Sequence, residues 1–181
     1  MNTPLFYGLI LALVNVVYTL VAFFLGFQTD KLAQGRWFGL LLLVVAIAIV
    51  WLGVKAVREE AADKALSYGK GVKSGFLISL YSSLISTVYG FIHFKFINPS
   101  FADYQVEAAR EKWVQAGLSD AQMEGAEKFV RFLMSPGMLS ITGLILSLII
   151  GLVIALILAA FLKRAPAAAL PGADSPPPVS S

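Results

Sequence analysis

Apolar positions along the chain gather into four long runs, at residues 5–27, 37–57, 74–97 and 138–162. The first and fourth hold no charged residue. The second holds only Lys55 and the third only Lys95, each near one end. At 1.5 Å of rise per residue, each run spans a hydrocarbon core of roughly 30 Å as a helix. The pattern predicts an all-α integral membrane protein, a four-helix bundle with both ends of the chain on one side.

Polarity inside the third run sets it apart. It carries Ser74, Ser79, Ser82, Ser83, Ser86 and Thr87, with Tyr81, Tyr89 and the single histidine, His93. At helical spacing, Gly75, Ser79, Ser83 and Thr87 form one row, and Ser82, Ser86 and Gly90 form a second beside it. The fourth run has its own row at Gly143, Ser147, Gly151, Ala155 and Ala159. Small residues four apart let helix backbones approach closely, and in lipid that approach helps drive association. The two rows therefore predict close packing of the third span on the fourth. A homodimer face is the competing use of the fourth row. Serine and threonine also bond back to the i−4 carbonyl, so hydroxyls alone need not mark a water-filled path. In the first run, Asn15 and Thr19 share a face, read as an interhelical hydrogen-bonding face or, more sharply, as a solute contact.

The connections add two extramembrane segments. Residues 28–35 are a short polar turn, making the first two spans an antiparallel hairpin. Residues 59–73 read as a short helical piece, with Glu60 and Lys64 four apart, broken by Gly69 and Gly71 before the third span. Asn98-Pro99-Ser100 ends that span. A helical hairpin follows over 100–135. Its first helix stops at Gly117, and its second opens with the capping box Ser119-Asp120-Ala121-Gln122. The tail, 165–181, is rich in proline and alanine and is expected to be disordered. Residues 1–164 thus form the membrane domain.

Composition agrees with this class. The chain is 58% hydrophobic and 14% charged, against about 25% charged in a soluble domain. A net charge of +3 without a concentrated basic face gives no reason to expect nucleic acid. Cysteine is absent, which removes disulfides, thiolate metal sites and cysteine nucleophiles. No lysine or arginine precedes the first run, so it reads as a retained anchor and not a cleaved signal. The 14 basic residues divide evenly between the two sides of the four-span topology. Those nearest the span ends, in 55–73 and at Lys163-Arg164, favour both termini in the cytoplasm and the hairpin outside.

Candidate chemistry is sparse. No span interior holds an Asp or Glu of the kind that couples protons or cations. A serine nucleophile needs a base. His93 lies two to three helical turns beyond Ser82, Ser83 and Ser86, too far along the axis to serve them. The expectation is a non-enzyme with no catalytic residue, no cofactor and no metal. His93 and Lys95 are singled out as polar candidates at the outer end of the third span.

Tyr68-Gly69, Lys73-Ser74-Gly75-Phe76 and the exit Phe96-Ile97-Asn98-Pro99 together resemble the centre of an uncharacterised bacterial family, domain of unknown function 4199. A helical loop with Ser135-Pro136 near its end also fits, as does a last span closing in Ala159-Ala160-Phe161-Leu162-Lys163. The resemblance covers residues 5–164. It implies a four-helix protein of the inner membrane in Bacteroidota-type bacteria. It implies no activity and assigns no residue a role.

The leading functional expectation is a structural or accessory subunit in the bilayer, packing with itself or a larger membrane complex. The alternative is a small transporter or channel using the polar face of the third span.

Overall fold

The computed structural model describes residues 2–165. Regular structure among them is helical, apart from one antiparallel bridge between Leu66 and Arg164. The helices are α1 (Thr3–Phe24), α2 (Leu32–Glu59), α3 (Tyr68–Ile92), α4 (Phe101–Gln115), α5 (Asp120–Leu133) and α6 (Pro136–Leu162). A π-helical turn, His93–Ile97, continues α3. Four helices are long and apolar enough to cross a membrane: α1, α2, α3 with its π-helical turn, and α6. The expected disordered tail falls on residues outside those described.

Local signals explain most helix ends. Pro4 and Pro136 sit in the first turns of α1 and α6, where a missing N–H leaves nothing unpaired. Ser119 and Gln122 cap α5 reciprocally. Gly117 follows α4 at φ +72°, a conformation that favours glycine. One expectation is overturned. Gly69 and Gly71 do not break a helix but lie inside α3, which starts at Tyr68 with Ser67 capping the Lys70 N–H. Gly71 is useful there because α6 comes close: a Cβ on it would lie 3.0 Å from that of Ala159. The segment before it is not helical. Lys64 takes a positive φ of 50°, and its ammonium approaches Glu59 at 3.8 Å, while the Glu60 carboxylate accepts from the Thr3 hydroxyl.

Among the helices, α3 is central, packing on α6, α1 and α2. The start of α1, the α2–α3 connection and the end of α6 meet at one end, where Thr3 reaches Glu60 and Leu66 exchanges two 2.9 Å backbone hydrogen bonds with Arg164. The turn after α1, the end of α3, and α4 and α5 belong to the other end. Buried Val50, Val54, Leu66, Ile78, Ile154 and Leu162 form the core, mostly towards the termini end. Large apolar side chains stay exposed along α2 and α6, including Trp37, Leu41, Val44, Ile141, Ile145 and Ile149. So much contiguous apolar surface suits hydrocarbon and not water.

Candidate site: a polar cavity between the spans

The small rows of α3 and α6 meet in antiparallel register. A Cβ added to Gly75 would lie 2.8 Å from that of Ala155, and one added to Gly151 would overlap Ser79. With Gly71 facing Ala159, each step of four along α3 is matched by a step of four back along α6. The seam ends at Ser83 and Ser147, whose hydroxyls share a 2.8 Å interhelical hydrogen bond. Gly75, Ser79, Ser83, Ser147, Gly151, Ala155 and Ala159 are thus brought together within one chain.

Beyond that bond the helices part. The next pair in register would be Thr87 and Gly143, yet a Cβ on Gly143 would meet nothing within 4 Å, nor would one on Gly90. Among the described residues, α2 has no buried position before Ile49 and α6 none before Gly151. α6 therefore diverges from α3 towards the α4–α5 end, while α2 stays against α1 there, the Phe38 ring stacking on Tyr18 at 4.6 Å. The gap is a cavity of about 460 Å³.

Its walls differ in chemistry. On the α1–α3 side stand Asn15, Thr19, Ser82, Ser83, Ser86, Thr87 and Tyr89. On the α2–α6 side stand mainly Leu42, Leu43, Ala46, Val50, Leu139, Ile150 and Ile154, with Ser140 and Ser147. No charged residue lines it among the described residues. Most of the polar wall is satisfied within its own helix. Asn15 Nδ2 donates to the Leu11 carbonyl at 2.9 Å, Thr19 to that of Asn15 at 2.8 Å, Ser79 to that of Gly75 at 3.2 Å and Thr87 to that of Ser83 at 2.7 Å. Among the described residues Asn15 makes no interhelical side-chain hydrogen bond. Ser86 differs again: its Oγ is buried and has no hydrogen-bond partner among the described residues. An unpaired buried hydroxyl costs about 1–3 kcal/mol, so this oxygen is suited to a bonding ligand or water.

A buried network stands at the α4–α5 end of the cavity, where Gln28 and Tyr89 line it. His93 is fully buried. Its Nε2 lies 2.8 Å from Gln28 Oε1, and its Nδ1 lies 3.2 Å from the Tyr89 hydroxyl. Asn98 Nδ2 also donates to Gln28 Oε1 (3.3 Å), while Gln28 Nε2 donates to the Thr19 carbonyl (3.1 Å). Gln28 Oε1 can only accept, so the ring carries a proton on Nε2, and in the neutral imidazole Nδ1 accepts from the Tyr89 hydroxyl. The π-helical turn provides the register, since Asn98 N–H donates to the His93 carbonyl five residues back (2.8 Å). Lys95 stands apart, exposed, its ammonium 5.3–5.4 Å from the ring centres of Phe91 and Phe96.

Gln28 was missed as a functional residue because it sits in a polar turn, where solvation is the ordinary reading. Its small neighbour Gly26, at φ +83°, marks a tight turn that folds back on α1. Beside it, Thr29 donates to the Asp30 carboxylate at 2.7 Å. That bond, then a backbone N–H, holds the Asp30 carboxyl below its ordinary value.

A family model described as protein of unknown function (DUF4199) matches residues 6–164. The chain belongs to that family. No curated protein and no solved structure matches it. The family description gives no chemistry, so function is argued from the cavity alone.

Proposed function

We propose that this DUF4199 chain takes a small uncharged molecule into the cavity between its spans, as a non-enzymatic binding protein or transporter. In this reading α1, α2, α3 and α6 form a four-helix bundle across a bacterial inner membrane. The α4–α5 pair is an extramembrane hairpin on the outer side, and both termini lie in the cytoplasm. The lipid bilayer is the surrounding partner, and no nucleic acid is involved. The carrying observation is the cavity, closed towards the termini by the Gly71–Ser83 seam and reaching towards the α4–α5 end as far as Gln28, Tyr89 and Phe94. A site reaching from one side to the middle of the membrane is the usual position of a transporter's substrate. The homodimer use of the α6 row is weaker, because that row is occupied by α3 of the same chain.

Single-cysteine labelling tests this. With a membrane-impermeant thiol reagent, Ser86→Cys and Thr87→Cys are labelled, while Ile78→Cys in the closed half is not. Protection of both cavity positions, with Lys95→Cys still labelled, would sink the proposal. A reporter fused at Ser181 reads the topology: activity restricted to the periplasm would reverse the orientation.

A further inference from the structure

We infer that the molecule admitted is a neutral lipid bearing a hydroxyl headgroup, which enters sideways from the bilayer between α2 and α6; the inference rests on the cavity reading above. Three observations carry it.

The first is where the gap lies. Along their α4–α5 halves neither α2 nor α6 has a buried position among the described residues, although both line the cavity. Gly143 faces the opening, with no atom within 4 Å of where its Cβ would be. Gly39 on α2 is nearly as open, its nearest neighbour being the Tyr18 hydroxyl at 3.8 Å. The cavity therefore has a slot along its length, bordered by leucine, isoleucine and glycine. Exposed Leu40, Val44, Ile141 and Ile145, on faces of the same two helices that do not line the cavity, set α2 and α6 in hydrocarbon. A lipid chain lying in the slot stays in contact with the acyl chains outside.

The second is the division of the walls. A water-soluble solute is best held by polar groups on several sides, whereas here one long wall is apolar and the opposite one is hydroxylated. That arrangement matches an amphiphile, its chain against Leu42, Ala46 and Ile150 and its head against the α1–α3 side. The volume of about 460 Å³ falls within the roughly 300–1,000 Å³ usual for ligand sites and suits a chain with a small head.

The third is the kind of polar group present. Among the described residues, no lysine or arginine lines the cavity to meet a phosphate, and no carboxylate to meet an amine. A charged headgroup brought here would be left unpaired in a medium of low dielectric, which is strongly unfavourable. A hydroxyl is neutral and both donates and accepts. It pairs with Ser86 Oγ, the buried oxygen left without a partner among the described residues.

The probes are two photoactivatable lipids with the same diazirine-bearing acyl chain, a diacylglycerol and its phosphatidylglycerol counterpart, each offered to the full-length protein in nanodiscs. The diacylglycerol is expected to crosslink to residues 39–50 and 139–154, and the phosphatidylglycerol at least fivefold less there. Gly143→Leu fills the slot without meeting a neighbour and should reduce that crosslinking at least fivefold. Ser86→Leu, which fills the head site, should do the same. Monodisperse elution of each variant shows that the fold is kept, and Gly143→Leu stands as the test should Ser86→Leu fail to fold. Equal crosslinking by the two lipids, or indifference to Gly143→Leu, overturns the inference. The two levels separate cleanly. Labelled Ser86→Cys without selective diacylglycerol crosslinking leaves the cavity as the site of a water-soluble solute and removes the lipid. Protection of both Ser86→Cys and Thr87→Cys removes the cavity reading and the lipid with it.

Discussion

The two halves of α3 carry similar residues and do opposite things. From Gly71 to Ser83, small side chains vanish into a seam with α6, and their hydroxyls turn back onto their own helix or across to Ser147. From Ser86 to Asn98 the chain is richer in aromatic residues, and its small or polar positions Ser86, Thr87, Gly90 and Asn98 border open space or join a buried network. Small residues occur in both stretches; the partner helix decides what they do. Where α6 supplies Gly151, Ala155 and Ala159, the backbones close. Where it supplies Gly143 and leans outward, the same kind of face becomes a cavity wall. Small residues permit close approach, but approach also requires the neighbouring helices to converge.

The largest test of this contrast swaps one residue type into both halves. Gly151→Val drives a branched side chain into Ser79, and overpacking of that kind costs up to about 3 kcal/mol. Gly143→Val enters open space and should change stability by no more than about 0.5 kcal/mol. Unfolding in mixed detergent micelles reads both. Equal losses would mean that α6 follows α3 along its whole length and that the cavity does not exist.

The next effect belongs to the network at the α4–α5 end. Gln28→Leu leaves the His93 Nε2–H and the Asn98 amide without their shared acceptor. A buried donor stranded in this way costs about 1–3 kcal/mol. The loss should appear as a lower unfolding midpoint, together with faster hydrogen exchange confined to the turn after α1 and the end of α3. Exchange rising equally along the α3–α6 seam would show that the two ends are not independent.

How much of this was readable beforehand follows the same division. The four apolar runs, the Ser119–Gln122 cap and the matching rows on α3 and α6 are all local patterns, and each has a physical cause acting over a few residues. The cavity is not such a pattern. Leu42 and Ile150, which face it, are the same residue types as Leu41 and Ile149, which face outward, so periodicity gives no sign that α6 diverges from α3. Gln28 and His93 stand 65 residues apart, and nothing near either one announces the other. Gly71 misled for a related reason: alone it weakens a helix, but opposite Ala159 it is the residue that lets the seam run one turn further. The hydroxyls of the third span suggested packing and conduit as rivals. The helix divides them, packing in one half and lining a cavity in the other.

A finer contrast lies in two serines three residues apart. Ser83→Ala removes an interhelical hydrogen bond, which in membrane proteins averages about 0.6 kcal/mol. Ser86→Ala removes a hydroxyl with no partner among the described residues, so stability should hold or rise slightly. The sign of the difference carries the argument. A larger loss at Ser86 than at Ser83 would show that Ser86 is already bonded, to water or a lipid headgroup, in the purified protein.

The smallest effect tests whether the turn that presents Gln28 is held electrostatically. Asp30 accepts from Thr29, and its carboxyl lies below the ordinary value of 3.8, chiefly because that bond and then a backbone N–H favour the charged form. A carboxyl depressed in the folded state stabilises the fold fully above its unfolded value, and the contribution disappears as pH falls through the lower folded value. Stability of the native chain should therefore decline below about pH 4, and Asp30→Asn should remove part of that decline. The carboxylate is exposed, so solvent screens it and the change should be slight. Its value is in its location. If Asp30→Asn also exposes Thr87→Cys to faster labelling, the turn governs the width of the open half. If labelling is unchanged, the gap is set by the divergence of α6 from α3 alone.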